Sequence, residues 1–201
     1  LRDLFRDRDP AVRRYTPIGL AAHSNGSGFR YDGSYTYGTM TNLPLTERLA
    51  EYHQRIEDGN LRFEYSKDVS EPALNELDEI LAVCRERKIH VIPFLPPYAK
   101  ATWTIMTSMP DYDYLLFLPT SVRSVCKAHG FKLHDFSDPT LFGSGDAEMI
   151  DAIHGSDITY LRLFIEIAKT DPSLSPYTAL PDLESILVKK VANTKDAPKG
   201  P

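Results

Sequence analysis

The sequence predicts an α/β fold, with helices covering both faces of a parallel sheet in three layers. The order helix, strand, helix, strand, helix runs along residues 70–168, and this alternation is typical of such folds. The two predicted strands, 89–95 and 131–136, are short and largely apolar, as expected of strands buried on both faces.

Residues 1–65 are predicted to form an N-terminal segment that precedes this α/β part. Within it, Asp32-Gly33 lies between the alternating aromatic residues of 29–37, a pattern that indicates a β-hairpin or long loop. A surface hairpin is favoured over an aromatic platform for a sugar or acyl chain. The remaining elements predicted here are a helix end at 1–14, a helix at 45–56 and a half-exposed strand at 61–65.

Residues 66–192 are predicted to be the α/β part itself. Its clearest helix begins after Ser70, a good N-cap, and has Pro72 in its first turn. A second helix over 114–129 should be broken or kinked at Pro119 and end at Gly130. The last predicted elements are an amphipathic helix at 158–168, a short helix at 183–191 and a tail at 193–201.

The composition excludes several classes of protein. The net charge of −5 and the mixed signs of the charged N-terminal stretch argue against a nucleic-acid partner. Cys84 and Cys126 are too few for a disulfide scaffold and are expected to be buried free thiols. The chain begins at Leu1 inside a charged, helix-like stretch, so we expect it to be part of a longer protein.

The candidate site lies in the loops that follow the two predicted strands, 96–100 and 137–155. Ligands of open α/β sheets bind beyond the carboxyl ends of the strands, and right-handed crossovers should make these strands parallel. Tyr98 and His154 should therefore border one cleft. Asp151 and His154 are three residues apart, a spacing that lets a carboxylate orient an imidazole for proton transfer. From spacing alone, the favoured interpretation is that Asp151 and His154 only cap or flank the helix that begins near Ser156.

For the other candidate residues we favour a structural interpretation over a functional one. His129 and His134 with Asp135 would make a metal pair, but they lack a third ligand at a recognisable spacing. His90 is expected to be a structural or edge residue of its strand. Lys100 is expected to be an exposed lysine rather than a residue that contacts an anionic substrate.

Three segments carry a resemblance to a known family: VIPFLPPY at 91–98, HDFSDPTLF at 134–142 and DAIHGSDITYLRLF at 151–164. Over about residues 66–170 the chain resembles the C-terminal part of SGNH (GDSL-like) hydrolases, whose fold is flavodoxin-like. It looks most like the envelope-associated branch, which includes alginate O-acetylation and DltD-like proteins. The resemblance implies that Asp151 is the catalytic acid and His154 the base, with no cofactor or metal. It also implies an acylated small molecule or polysaccharide as substrate, a location in the cell envelope and room for an upstream membrane anchor.

The sequence departs from this family at the nucleophile. It contains neither the Gly-Asp-Ser block nor the Gly-x-Asn-Asp block. Ser24 lies in a Gly/Ser/Asn-rich stretch without a strand-to-helix turn, so we expect it not to be the nucleophile. We therefore expect an incomplete domain of a serine esterase or O-acyltransferase whose serine lies upstream. The alternative is a non-catalytic SGNH-like domain for binding or assembly.

Overall fold

The computed structural model describes residues 17–31, 33–38 and 43–196. The chain divides into two compact units, Leu1–Arg48 and Leu49–Pro201, whereas the sequence suggested a boundary near residue 65. The helix end expected at 1–14 lies outside the described residues.

The first unit contains a short helix and the predicted hairpin. Helix α1 (Leu20–Asn25) precedes strands β1 (Ser27–Phe29) and β2 (Tyr35–Tyr37), which pair antiparallel. Gly33 has a φ of 83°, a conformation that glycine adopts without steric cost. The hairpin is thus confirmed, and its use as an aromatic platform stays a prediction.

The second unit is mainly helical, and most of its helices follow the predicted pattern. Ser70 caps the helix that follows it, its hydroxyl accepting from the backbone N–H of Ala73, and the helix predicted around Pro119 continues through that residue. The helices are α2 (Leu45–Asp58, which begins in the first unit), α3 (Glu71–Glu86), α4 (Lys100–Ser108), α5 (Tyr114–Ala128), α6 (Asp157–Thr170) and α7 (Leu180–Asp196).

The two predicted strands pair with each other, and they are parallel. Strand β3 (Phe94–Leu95) lies beside β4 (His134–Asp135), with Phe94 opposite His134. The parallel direction is confirmed, but the expected lengths of 89–95 and 131–136 are wrong. A strand is extended by pairing, and among the described residues each of these strands has only the other as partner. The chain is therefore mixed α/β with a small parallel pair.

The prediction of a strand at 61–65 is wrong. Leu61 and Arg62 have φ values of 49° and 84°, which lie in the left-handed region and are incompatible with an extended strand. This turn brings Phe63 into the core, where 3% of its surface is exposed. The apolar residues at 61, 63 and 65 therefore belong to a tight turn after α2, not to a strand.

The C-terminal helix and the cysteines also differ from expectation. Helix α7 runs to Asp196, into the segment expected to be a tail. Both cysteines are free, but only Cys126 is buried, while Cys84 is partly exposed. Burial raises the pKa of the Cys126 thiol. None of the helices in the described part of the chain combines the length and hydropathy of a membrane span.

The core of the second unit consists of several apolar clusters. One of them lies beside the candidate site, because Tyr52, Tyr98 and Ile153 pack against its buried members, Ile56, Phe63, Met106, Tyr112 and Leu115. A second cluster joins α3, α5 and the start of β4 through Leu81, Cys126 and Leu133. A third joins the end of β4 to α6 through Phe136, Phe142, Leu163 and Ile167.

Candidate functional site

Asp151 and His154 lie in a tight turn between β4 and α6. An isolated β-bridge between Met149 and Gly155 closes the turn, and the Ile150 N–H donates to the carbonyl of His154 at 2.7 Å. Ser156 caps α6, its hydroxyl accepting from the N–H groups of Ile158 and Thr159. The helix is therefore capped by Ser156, and the carboxylate of Asp151 is used within the turn.

The Asp151 carboxylate is buried and held by its own backbone. Only 1% of the residue is exposed. Its Oδ1 accepts hydrogen bonds from the N–H groups of Ile153 at 2.9 Å and His154 at 2.8 Å. A short polar side chain that bonds to backbone two and three residues ahead is a common way to fix a turn. The carboxylate position is thus set by local sequence.

The imidazole of His154 contacts this carboxylate through Nδ1. The distance is 2.8 Å to Oδ2 and 3.0 Å to Oδ1. Forty per cent of the His154 side chain is exposed, against 2% for Asp151. The predicted contact between the two side chains is confirmed, and their catalytic role stays a prediction.

Opposing effects act on the pKa of Asp151, and the net result is a lowered value. Burial would raise it, because a charged carboxylate is poorly solvated in the interior. The hydrogen bonds from the Ile153 N–H and from the side chain and N–H of His154, with the charge of His154, outweigh burial. Asp151 therefore remains ionised to lower pH than an ordinary aspartate.

Tyr52 is part of this site, and sequence reasoning missed it. Its hydroxyl donates to Asp151 Oδ2 at 2.9 Å, from helix α2. Burial, together with the charge and hydrogen bond of Asp151, raises the pKa of Tyr52 to about 12. Tyr52 stands 99 positions before Asp151, so no local spacing connects the two. A tyrosine on the apolar face of an amphipathic helix is an ordinary core residue by its pattern.

The two predicted loops meet at the ends of the parallel strands, as expected. The Tyr98 N–H donates to the Ser137 carbonyl at 3.2 Å, and the Ala99 N–H donates to the Ala152 carbonyl at 2.9 Å. Lys100 bonds to Asp138 at 3.1 Å, so its ammonium group is paired within these loops rather than simply solvated.

The cleft expected between Tyr98 and His154 stays a prediction, and a separate cavity lies elsewhere in the second unit. A cavity of about 270 Å³ opens between α3 and α5, lined mainly by apolar side chains that include Leu74, Leu77, Leu118 and Val122. Asp151 and His154 do not line it. At their site the Asp151 carboxylate is buried and the His154 side chain is partly exposed.

The other candidate residues are separate from this pair. His129 lies 2.7 Å from Asp78, whereas the buried His134 ring stacks on Phe136, so the suggested metal pair is not assembled. No group of three or more metal-ligating side chains occurs among the described residues.

His90 and Ser24 bond to residues outside the candidate site. His90 is exposed, and its Nε2 lies 2.8 Å from the Ser173 hydroxyl and 3.4 Å from Asp171. Ser24 lies in α1, where its hydroxyl donates to the Ala21 carbonyl at 3.2 Å.

No protein-family model matches the chain, and no curated protein or solved structure is significantly similar to it. The geometry of Asp151, His154 and Tyr52 is therefore the principal support for a functional interpretation.

Proposed function

We propose that residues 49–201 supply the acid and base of an SGNH-like serine esterase or O-acyltransferase. The observation that carries the proposal is the contact between the buried, ionised carboxylate of Asp151 and Nδ1 of the partly exposed His154. A carboxylate in this position fixes the tautomer of an imidazole and stabilises the imidazolium that forms when it accepts a proton.

The chemistry follows from this arrangement. When Nδ1 carries the proton that is donated to Asp151, the neutral ring has its lone pair on Nε2. Nε2 would take the proton of a serine hydroxyl as the serine oxygen attacks the ester carbonyl. The imidazolium would then protonate the departing alcohol as the carbonyl–oxygen bond breaks. The resulting acyl-serine would be resolved by water or by an acceptor hydroxyl, with His154 again as base.

The complete site requires a nucleophile from elsewhere, because the 201 residues contain no Gly-Asp-Ser block. We propose that the complete protein has a three-layer α/β/α domain, in which further strands extend the β3–β4 pair and one of them presents the serine. The substrate class that the family resemblance favours is an O-acyl, such as O-acetyl, group on an envelope carbohydrate.

The second candidate is a non-catalytic SGNH-like binding or assembly domain. It is favoured by the same missing block, because a domain without a nucleophile would retain the fold and lose the reaction. The two candidates differ in the effect of removing the imidazole.

The test uses the complete product of the reading frame that encodes this chain, assayed on p-nitrophenyl acetate. We expect His154→Ala to lower kcat at least about a hundredfold, the usual contribution of a general base, and Asp151→Asn to lower it as well. His90→Ala is the matched control, because His90 also lies beside an aspartate and a hydroxyl but is more exposed. Equal activity of the wild type and His154→Ala would refute the catalytic proposal and favour the binding domain.

The 201-residue chain by itself should not hydrolyse this ester above the rate in buffer. The reason is the missing nucleophile block. Hydrolysis that persists through purification and disappears in Ser24→Ala would contradict both this expectation and the assignment of the serine to another segment.

A further inference from the structure

The Tyr52 hydroxyl and the His154 imidazole contact the same oxygen of Asp151. We infer that Tyr52 is a positioning residue for His154, and that its hydrogen bond fixes the Asp151 carboxylate against Nδ1 and so keeps Nε2 as the basic nitrogen. The catalytic meaning of this inference rests on the proposed function, whereas the effect on the imidazole tautomer does not.

The two carboxylate oxygens of Asp151 are held in different ways. Oδ1 is fixed by two backbone N–H groups of its own turn. Oδ2, which makes the shorter contact with His154 Nδ1, at 2.8 Å, is bonded by the Tyr52 hydroxyl. With Tyr52 in place only 1% of the residue is exposed, and a buried acceptor that loses its donor is costly. Tyr52 therefore holds the carboxylate oxygen that lies nearer to Nδ1, at 2.8 Å, whereas Oδ1 lies at 3.0 Å.

Packing holds Tyr52 in place. Its ring meets Phe63 edge-on at 6.2 Å, and the Arg55 guanidinium lies over the ring at 5.2 Å. Tyr52 also packs against the apolar cluster that contains the buried Tyr112. An aromatic side chain held by packing offers its hydroxyl at a fixed point, so the hydrogen bond to Asp151 is pre-organised by helix α2.

The charged groups around this network leave Tyr52 as a donor. The charge of Arg55 lowers the pKa of Tyr52 and that of Glu51 raises it, while burial and the charge of Asp151 raise the pKa of Tyr160 on α6. Since burial and the charge of Asp151 raise the pKa of Tyr52 to about 12, the hydroxyl keeps its proton over the pH range in which an imidazole works as a base.

The test compares Tyr52→Phe with Tyr112→Phe by two-bond ¹H–¹⁵N NMR of the His154 ring. Tyr112→Phe is the matched control, because its hydroxyl donates to the carbonyls of Ile56 and Phe63 at 2.9 and 2.6 Å and does not bond to Asp151. We expect neutral His154 to be mainly the Nδ1–H tautomer in the wild type. In Tyr52→Phe the Nε2–H tautomer should rise severalfold, and in Tyr112→Phe the spectrum should match the wild type.

The kinetic readout is made on the complete protein. Tyr52→Phe should lower kcat about tenfold with KM unchanged, an effect comparable to one hydrogen bond to a charged group. Unchanged tautomers in Tyr52→Phe would overturn the inference even where His154→Ala abolishes activity, and so would an equal shift in Tyr112→Phe. A tautomer shift in Tyr52→Phe alone would support the inference even where His154→Ala leaves activity intact, in which case the proposed function fails.

Discussion

At Asp151, the short-range signal in the sequence and the structure agree. The carboxylate bonds to N–H groups two and three residues ahead, and it meets the imidazole three residues ahead. Such contacts lie within one turn, and the three-residue spacing predicted the contact between the two side chains, although by itself it favoured a role beside the following helix. The bonds to the backbone N–H groups were not predicted. The third member, Tyr52, could not be predicted, because its contact depends on how α2 packs against the loop.

Asp151 should leave a signature in the pH dependence of stability. Its folded-state pKa lies below the ordinary value of 3.8, so the ionised carboxylate stabilises the fold above that value. This stabilisation is lost as the pH falls from about 4 through the folded pKa. We expect Asp151→Asn to be less stable than the wild type at about pH 7, and the difference in the free energy of unfolding to shrink at about pH 3.

Urea unfolding at several pH values measures this difference. Asp171→Asn is a suitable comparison, because Asp171 also has a lowered pKa but bonds to Ser173 and His90 instead. A gap between wild type and Asp151→Asn that stays constant from neutral to acid pH would show that Asp151 does not titrate as proposed.

At the scale of elements, most of the longer helices were predicted, but α1 and α4 were not. The hairpin and the parallel direction of β3 and β4 were predicted correctly, whereas the lengths of β3 and β4 were wrong. Helix α3 was predicted because its cap at Ser70 and its apolar stripe are local features. The strand lengths were wrong because pairing depends on a neighbour, and β3 and β4 pair over only two residues each. The alternation at 61–65 was misleading because Leu61 and Arg62 adopt left-handed backbone conformations, which no apolar pattern signals.

The junction between the site turn and α6 should tolerate little added volume. A Cβ at Gly155 would lie 2.7 Å from Cγ2 and 2.9 Å from Cβ of Thr159, which is fully buried. Gly155→Ala should therefore lower the free energy of unfolding by about 1–3 kcal/mol, the usual cost of overpacking, as measured by urea unfolding. Gly145→Ala is the control, because a Cβ there meets nothing within 4 Å. Equal stability of the two variants would contradict the close approach of turn and helix.

At the scale of the whole molecule, burial is unevenly distributed along the chain. The buried apolar residues of the described core lie from Leu49 onward. In the first unit, α1 has no buried residue, and the hairpin pairs over only three residues a side. Two-stranded hairpins of this size have little stability of their own.

Hydrogen exchange should therefore differ between the two units. We expect backbone amides of 27–31 and 33–37 to exchange at rates close to those of an unfolded chain, and amides within α5 and α6 to be protected up to the level of global unfolding. Exchange measured by mass spectrometry on peptides from both regions tests this. Protection of the hairpin equal to that of α6 would show that the first unit opens only with the rest of the protein.

The bond between Tyr52 and Asp151 also bears on how the chain matures during synthesis. Tyr52 leaves the ribosome 99 residues before Asp151. Its hydrogen-bond acceptor is therefore absent until that stretch of chain has been synthesised. Closing so long a loop costs chain entropy, although each doubling of length adds only about 0.6 kcal/mol. The turn around His154 can form locally, but the carboxylate gains its last donor only when both regions have docked. In a nascent chain whose helix α2 has not yet docked, Asp151 would therefore lack the hydrogen bond from Tyr52. A rise in the Nδ1–H tautomer of His154 would then report the docking of these two regions.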